Sequence, residues 1–128
     1  MTKELQKIYK SYPTHQDCIN YLEKIIWKDN PICPYCKVAY YSKLSEESRY
    51  HCNNCNASFS VTVKTILHKT RVDLQKWFYL IRLFLKTDYK PTLRELGSEL
   101  EVTKDTALRM SNQIKLAISS NNEWIYKI

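Results

Sequence analysis

The apolar residues of this chain change their spacing from one segment to the next. Beyond Asp17, Cys18, Tyr21, Leu22, Ile25 and Ile26 recur at intervals of three and four, which predicts one buried face of a helix. Thr14, followed by an acid at Asp17, supplies a capping start, and Asp29-Asn30-Pro31 breaks the pattern after Trp27. From Ala39 to Val63 the character becomes aromatic and β-branched. "AYYSKL", "SRYHC" and "ASFSVTV", separated by polar turns such as "SEES", predict short antiparallel strands.

The helical period returns in "LQKWFYLIRLFLK", with Asp73 as its expected N-cap. Leu74, Trp77, Phe78, Leu80, Ile81, Leu83, Phe84 and Leu85 leave it almost no polar side. Such a helix must be enclosed by other elements, or failing that by a second subunit. Tyr89-Lys90-Pro91 separates it from a last helical region, Thr92 to about Ser119. The chain shows no internal repeat, low-complexity tract or glycine-serine linker.

Composition narrows the picture. At 128 residues and 44% hydrophobic, the chain has the size of one domain or of two small modules sharing a core. It carries no pattern of a signal peptide and no apolar run near the roughly 20 residues that span a bilayer, so a soluble, cytoplasmic protein is expected, with no membrane partner. The formal charge of +7 favours a polyanionic partner such as nucleic acid over a merely solvated lysine surface. Five cysteines are an odd number for a disulfide framework and point to metal or redox chemistry.

"CPYCK" by itself suits either a redox dithiol of the glutaredoxin kind or a metal knuckle. A second pair decides between them: Cys33 and Cys36 are followed, after fifteen residues, by Cys52 and Cys55. Each two-residue turn presents two sulfurs to one tetrahedral ion, and the gap has room for a hairpin that folds one pair onto the other. The redox reading would need a preceding buried strand and a following helix in a βαβ unit, which the pattern does not supply. One structural zinc ion is therefore expected, and with four thiolates it leaves the net charge near +5. Four protein ligands leave no open position for catalysis. His51 adjoins Cys52 but is not needed, Cys18 belongs to an apolar stripe, and His15 and His68 have no evident partner.

"TLRELGSELEVTKDTALRM" has the internal pattern of a helix-turn-helix. Leu96, Leu100, Val102, Ala107 and Met110 take the apolar positions, and Gly97, the only glycine, falls where two helices must cross closely. Glu101 takes the turn position, at some backbone cost if φ is positive there. Thr103 is placed to cap the second helix, whose outward residues are Lys104, Asp105, Leu108, Arg109, Asn112 and Lys115. Arg109 and Asn112 are side chains that read guanine and adenine edges, while Lys104 and Lys115 suit phosphates. Any three-helix packing would also turn polar residues outward, so spacing alone does not make this face a DNA reader.

Taken in order, "CINYLEKIIW", "CPYC", "CNNC", "FSVTVKTILH", "LQKWFYLI" and "TALRM" resemble the N-terminal region of insertion-sequence transposases that begin with a zinc ribbon and a helix-turn-helix. The resemblance runs from about Tyr12 to Ala117. It implies recognition of transposon-end DNA, with strand cutting left to a following RNase H-like domain that holds two metal ions on an acidic triad. This sequence reaches "NNEWIYKI" where that domain would begin, and it carries no carboxylate set of that kind, so no catalytic residue and no enzyme activity are expected of it. Lys37 and Lys64 stand where relatives usually have glycine, and Leu108 where many have tryptophan.

The expected architecture is α+β: a small zinc-ribbon β module packed with an N-terminal helix and a C-terminal helical bundle containing a helix-turn-helix. Its divisions are residues 1–30 as a helical segment, 31–70 as the ribbon and 71–128 as the helical region. The expected function is sequence-specific binding of double-stranded DNA by Thr103, Lys104, Leu108, Arg109, Asn112 and Lys115, supported by Lys64, Lys69, Arg71 and Arg94. The rival is a protein-interaction or regulatory module acting on a transposase or another partner, including a second copy. A bacterial cytoplasmic location, at the nucleoid when DNA is bound, goes with the first reading.

Overall fold

The computed structural model describes residues 2–44, 48–120 and 122–128. It is α+β, with five α-helices and one three-stranded antiparallel sheet among those residues. The chain divides into two compact units, Gln16–Thr70 and a second built from Met1–His15 with Arg71–Ile128. The helical residues ahead of the ribbon are thus shared between units.

In the first unit, α2 (His15–Trp27) starts directly after Thr14 and buries Cys18, Ile19 and Leu22. It ends where Lys28 and Asp29 take left-handed backbone angles, φ 51° and 64°. Strands β1 (Tyr41–Leu44), β2 (Arg49–Cys52) and β3 (Ser58–Phe59) lie in that order, with Lys43 opposite Tyr50 and Tyr50 opposite Phe59. Of the expected "SEES" turn, residues 45–47 lie outside the described residues.

The third strand is far shorter than "ASFSVTV" suggests. Beyond Phe59 the Ser60 carbonyl accepts from the Val63 N–H at 3.2 Å and the Thr62 carbonyl from Thr65 Oγ1 at 2.7 Å. Hydroxyl side chains give this backbone local partners, and the β-branched run coils into turns in place of a ladder.

In the second unit, α1 (Lys3–Ser11) was not foreseen from the apolar pattern, because only Leu5 and Ile8 are buried and one turn's worth of apolar spacing is a weak signal. Thr2 caps it, accepting from the Leu5 N–H at 3.2 Å. It packs against α3 (Leu74–Lys86). Asp73 does occupy the N-cap position of α3, but its side chain caps nothing. Its carboxylate accepts from the Tyr9 hydroxyl at 2.8 Å instead. Gln75 Nε2 donates to the Tyr12 carbonyl at 2.7 Å, and the Tyr12 ring meets Phe78 edge-on at 5.4 Å.

Helix α3 buries Leu74, Gln75, Trp77, Phe78, Tyr79, Leu80, Ile81 and Leu83, whereas Phe84 and Leu85 are only half-buried. Its neighbours within the unit, α1 and α5, enclose most of it, as the scaffold reading requires.

Helices α4 (Leu93–Leu100) and α5 (Lys104–Ser119) pack on each other and form the expected helix-turn-helix pair. Leu96, Leu100, Ala107 and Met110 are buried, while Val102 is half-buried. Thr92 and Thr103 cap the two helices through the N–H groups of Glu95 and Thr106, at 3.2 and 3.1 Å. Glu101 sits in the left-handed region at φ 57°, ψ 45°, the conformation for which the turn would prefer glycine. A short 3-10 helix, Glu123–Lys127, follows, and Arg82 Nε donates to the Ile128 backbone oxygen at 2.9 Å.

Gly97 is where the two helices come closest. A Cβ there would meet the Val102 carbonyl oxygen at 3.0 Å, and that oxygen belongs to a turn already held by the Val102 N–H bond to the Gly97 carbonyl at 2.9 Å. A branched side chain at this position has no room. Gly97→Val is expected to cost about 1–3 kcal/mol, seen as a lower denaturation midpoint of the helical unit. An unchanged midpoint would show that the turn yields freely.

Candidate metal centre and nucleic-acid face

Two copies of one backbone turn build the metal centre. After Cys33, the Lys37 N–H returns to the Cys33 carbonyl at 2.9 Å; after Cys52, the Asn56 N–H returns to the Cys52 carbonyl at 2.9 Å. Each turn closes on a left-handed residue, Lys37 at φ 63° and Asn56 at φ 65°. The amides of the two leading cysteines then donate to Val38 and Ala57 at 3.2 and 2.8 Å. Lys64 is left-handed as well, at φ 63°. At Lys37 and Lys64 the chain thus keeps the conformation that a glycine adopts without strain, and carries the strain of a side chain there.

The β1–β2 hairpin lays the second turn over the first. All four sulfurs lie within 4.8 Å of one another. The close pairs run across the turns, Cys33 to Cys55 at 3.6 Å and Cys36 to Cys52 at 3.5 Å. Four sulfurs bound at about 2.3 Å to a tetrahedral ion stand about 3.8 Å apart. The donor set therefore fits one zinc ion, held by Cys33, Cys36, Cys52 and Cys55. Cys18, buried on α2, and His51 stand apart from this group.

Cys33 and Cys52 are also part of the ribbon's apolar core, with Tyr50, Phe59 and the flanking Trp27 and Val63. Tyr50 stacks on Phe59 at 5.6 Å, and Trp27, from α2, meets both rings edge-on at 5.4 and 5.7 Å. The Tyr50 hydroxyl donates to Glu23 at 2.8 Å. Burial and this carboxylate raise the Tyr50 pKa well above its usual value.

Among the thiols, the Asn54 side chain is the main cause holding Cys36 down at about 6. Cys55 is pushed up to about 12: a backbone hydrogen bond at Ala57 works to lower it, but desolvation and the neighbouring thiols outweigh this. Four thiolates at this spacing repel one another, and a divalent cation removes the conflict.

The residues expected to touch DNA fall on both units. Lys104, Asp105, Leu108, Arg109, Asn112 and Lys115 are all exposed on α5, as is its cap Thr103. Arg94 and Lys104 share a shallow depression with Thr92 and Leu93. Leu108 and Lys115 have a second role. They line a cavity of about 340 Å³ together with Leu80, Phe84, Tyr89 and Leu93, and the Lys115 ammonium lies 5.9 Å from the centre of the Phe84 ring. Arg71, in the helical unit, is exposed. Lys64 and Lys69 are exposed on the ribbon unit, with Lys64 5.0 Å from the centre of the Tyr35 ring.

Sequence reasoning missed one brace of the helix pair. Glu99 on α4 accepts from Tyr79 at 3.1 Å and from Tyr89 at 2.6 Å, tying α3 and the loop after it to α4. The hydrogen bond to Glu99 pushes Tyr89 up to about 12, and burial raises Tyr79. No local spacing announces this contact, since Tyr79 and Glu99 are twenty residues apart.

Residues 13–58, which contain all four zinc ligands, match the family described as transposase zinc-ribbon domain. Over 114 residues the chain is 25% identical to an uncharacterized protein in transposable element ISH50 of Halobacterium salinarum, a span covering 87% of this chain and 38% of that relative. The alignment is longer than the ribbon unit and so takes in helical residues too. No solved structure matches the chain. Among the described residues, no helix is long and apolar enough to cross a membrane.

Proposed function

We propose that this chain binds double-stranded DNA sequence-specifically, as the recognition part of a transposase does, with α5 in the major groove and lysines of both units on phosphate. The observation that carries the reading is the exposed face of α5. This capped helix of 16 residues is crossed closely by α4 and displays Arg109 and Asn112 between Lys104 and Lys115. Arg109 would address guanine and Asn112 adenine, while Lys104, Arg94, Lys64, Lys69 and Arg71 would neutralise phosphates. The relative from a transposable element and the transposase-type ribbon support the same assignment.

The zinc would brace the ribbon and take no part in chemistry, since four thiolates fill its coordination. Strand cutting is not assigned to these residues. A bacterial cytoplasmic protein that sits on the nucleoid when bound is the setting this reading implies.

Binding to duplexes selected from a random pool tests it. Affinity is expected to fall with salt at a log-log slope of about −0.9 per phosphate contacted. Arg109→Ala is expected to weaken the selected site about tenfold and to flatten preference at one base position. Lys104→Ala should weaken all sequences alike and make the slope shallower by about 0.9. Wild-type affinity and preference in both variants would remove α5 from the interface.

One observation favours the rival. Leu108 faces an apolar cavity beside the same helix, a place where a partner's side chain, from a transposase or a second copy, could seat. Light scattering that shows stable dimers lost in Leu108→Lys would support that assignment.

A further inference from the structure

The ribbon unit holds aromatic surface that its core does not use. Tyr35 is 51% and Tyr40 61% exposed, while Tyr41, at 38%, rests edge-on against the core ring of Tyr50 at 5.5 Å. The turns of the metal centre fix the backbone at both exposed tyrosines. Tyr35 lies inside the first knuckle, between two zinc ligands, and the Tyr40 carbonyl accepts from the Asn53 N–H of the second knuckle at 2.8 Å. Rings on so rigid a backbone lose little freedom when they are covered.

Charge identifies what would cover them. From Asn30 to Thr70 the only carboxylates are Glu46 and Glu47, against Lys37, Lys43, Arg49, Lys64 and Lys69. A four-thiolate zinc contributes about −2 and leaves the stretch at about +1, with its cations set along the tyrosine-bearing segments. Lysines alternate with the tyrosines along "YCKVAYYSKL", and the Lys64 ammonium stands 5.0 Å from the centre of the Tyr35 ring. Protein interfaces are depleted in lysine at their centres. Aromatic rings set among cations are the arrangement that takes bases on the rings and phosphates on the ammonium groups. A duplex hides the faces of its bases, so only unpaired nucleotides can use it.

We propose that Tyr35 and Tyr40, with Lys37, Lys43 and Lys64 beside them, form a stacking surface for unpaired bases through which the ribbon unit binds single-stranded DNA independently of α5. Its partner is a segment of strand separated from its complement, whatever its sequence. The surface shares Lys64 with the phosphate contacts proposed for duplex DNA, but its tyrosines are not on α5, and either assignment can fail without the other.

The test uses the zinc-loaded full chain and fluorescence anisotropy with two labelled probes of equal length and charge, an oligothymidine of about 15 nucleotides and its abasic counterpart. Stacking is worth about 1–3 kcal/mol per base, so the thymidine probe should bind roughly 5- to 150-fold more tightly than the abasic one. Tyr40→Leu should remove most of that advantage and Tyr40→Phe should keep it, with one zinc per chain in each variant. Equal affinity for the two probes overturns the proposal with no variant needed. Tyr40→Leu and Tyr35→Leu binding thymidine as tightly as the parent chain would overturn it too.

Discussion

Removing the zinc, by chelation or by Cys52→Ser, is expected to unfold the ribbon unit. Its strands are of four, four and two residues, and the core they close over is Cys33, Tyr50, Cys52 and Phe59, two of which are metal ligands. So little apolar surface cannot offset the conformational entropy of the chain. Structural zinc contributes about 10–16 kcal/mol in small peptides, against about 5–15 kcal/mol of net stability for a whole domain. Elemental analysis should find one zinc per chain. Chelation should abolish the near-ultraviolet signal of Trp27 and Tyr50, and Cys18→Ser, which alters a thiol outside the cluster, should keep the metal. A ribbon that retained its aromatic signal without zinc would mean that the sheet and α2 suffice.

Trp77→Ala is expected to have the next largest effect. Trp77 is 1% exposed in α3, among Leu74, Phe78, Leu80 and Ile81, each buried as deeply. Truncating a buried tryptophan costs about 3–5 kcal/mol, a large share of the stability of a unit this size. The helix pair α4–α5 rests on α3, both through α5 and through the Tyr79–Glu99 bond. Duplex affinity should therefore fall together with the folded fraction and return with a stabilising osmolyte. If Trp77→Ala instead left stability alone and only changed the oligomeric state, α3 would be an interface and not a scaffold.

What could be read beforehand was what repeats at short range. Two C-x2-C turns name their metal, because a tetrahedral thiolate site needs little beyond two such turns and a hairpin between them. Gly97, Glu101 and Thr103 announced the helix crossing, the strained turn and the cap, since each depends on residues within a few positions of itself. Lys37 and Lys64, which the resemblance put at glycine positions, both take the left-handed conformation. Asp73 shows the limit. Its type and position suit a cap, but the Tyr9 hydroxyl, 64 residues away in sequence, claims the carboxylate.

The sequence by itself determined the zinc ligands, the α+β class and the α4–α5 pair, all consequences of spacing along one stretch of chain. Only the tertiary structure decided that α1 joins α3, that Trp27 and Glu23 of α2 complete the ribbon core, and that Tyr35 and Tyr40 remain outside it. Those outcomes depend on which distant groups compete for the same partner and the same buried space. Such competition is settled when the chain closes on itself, and no local period records it.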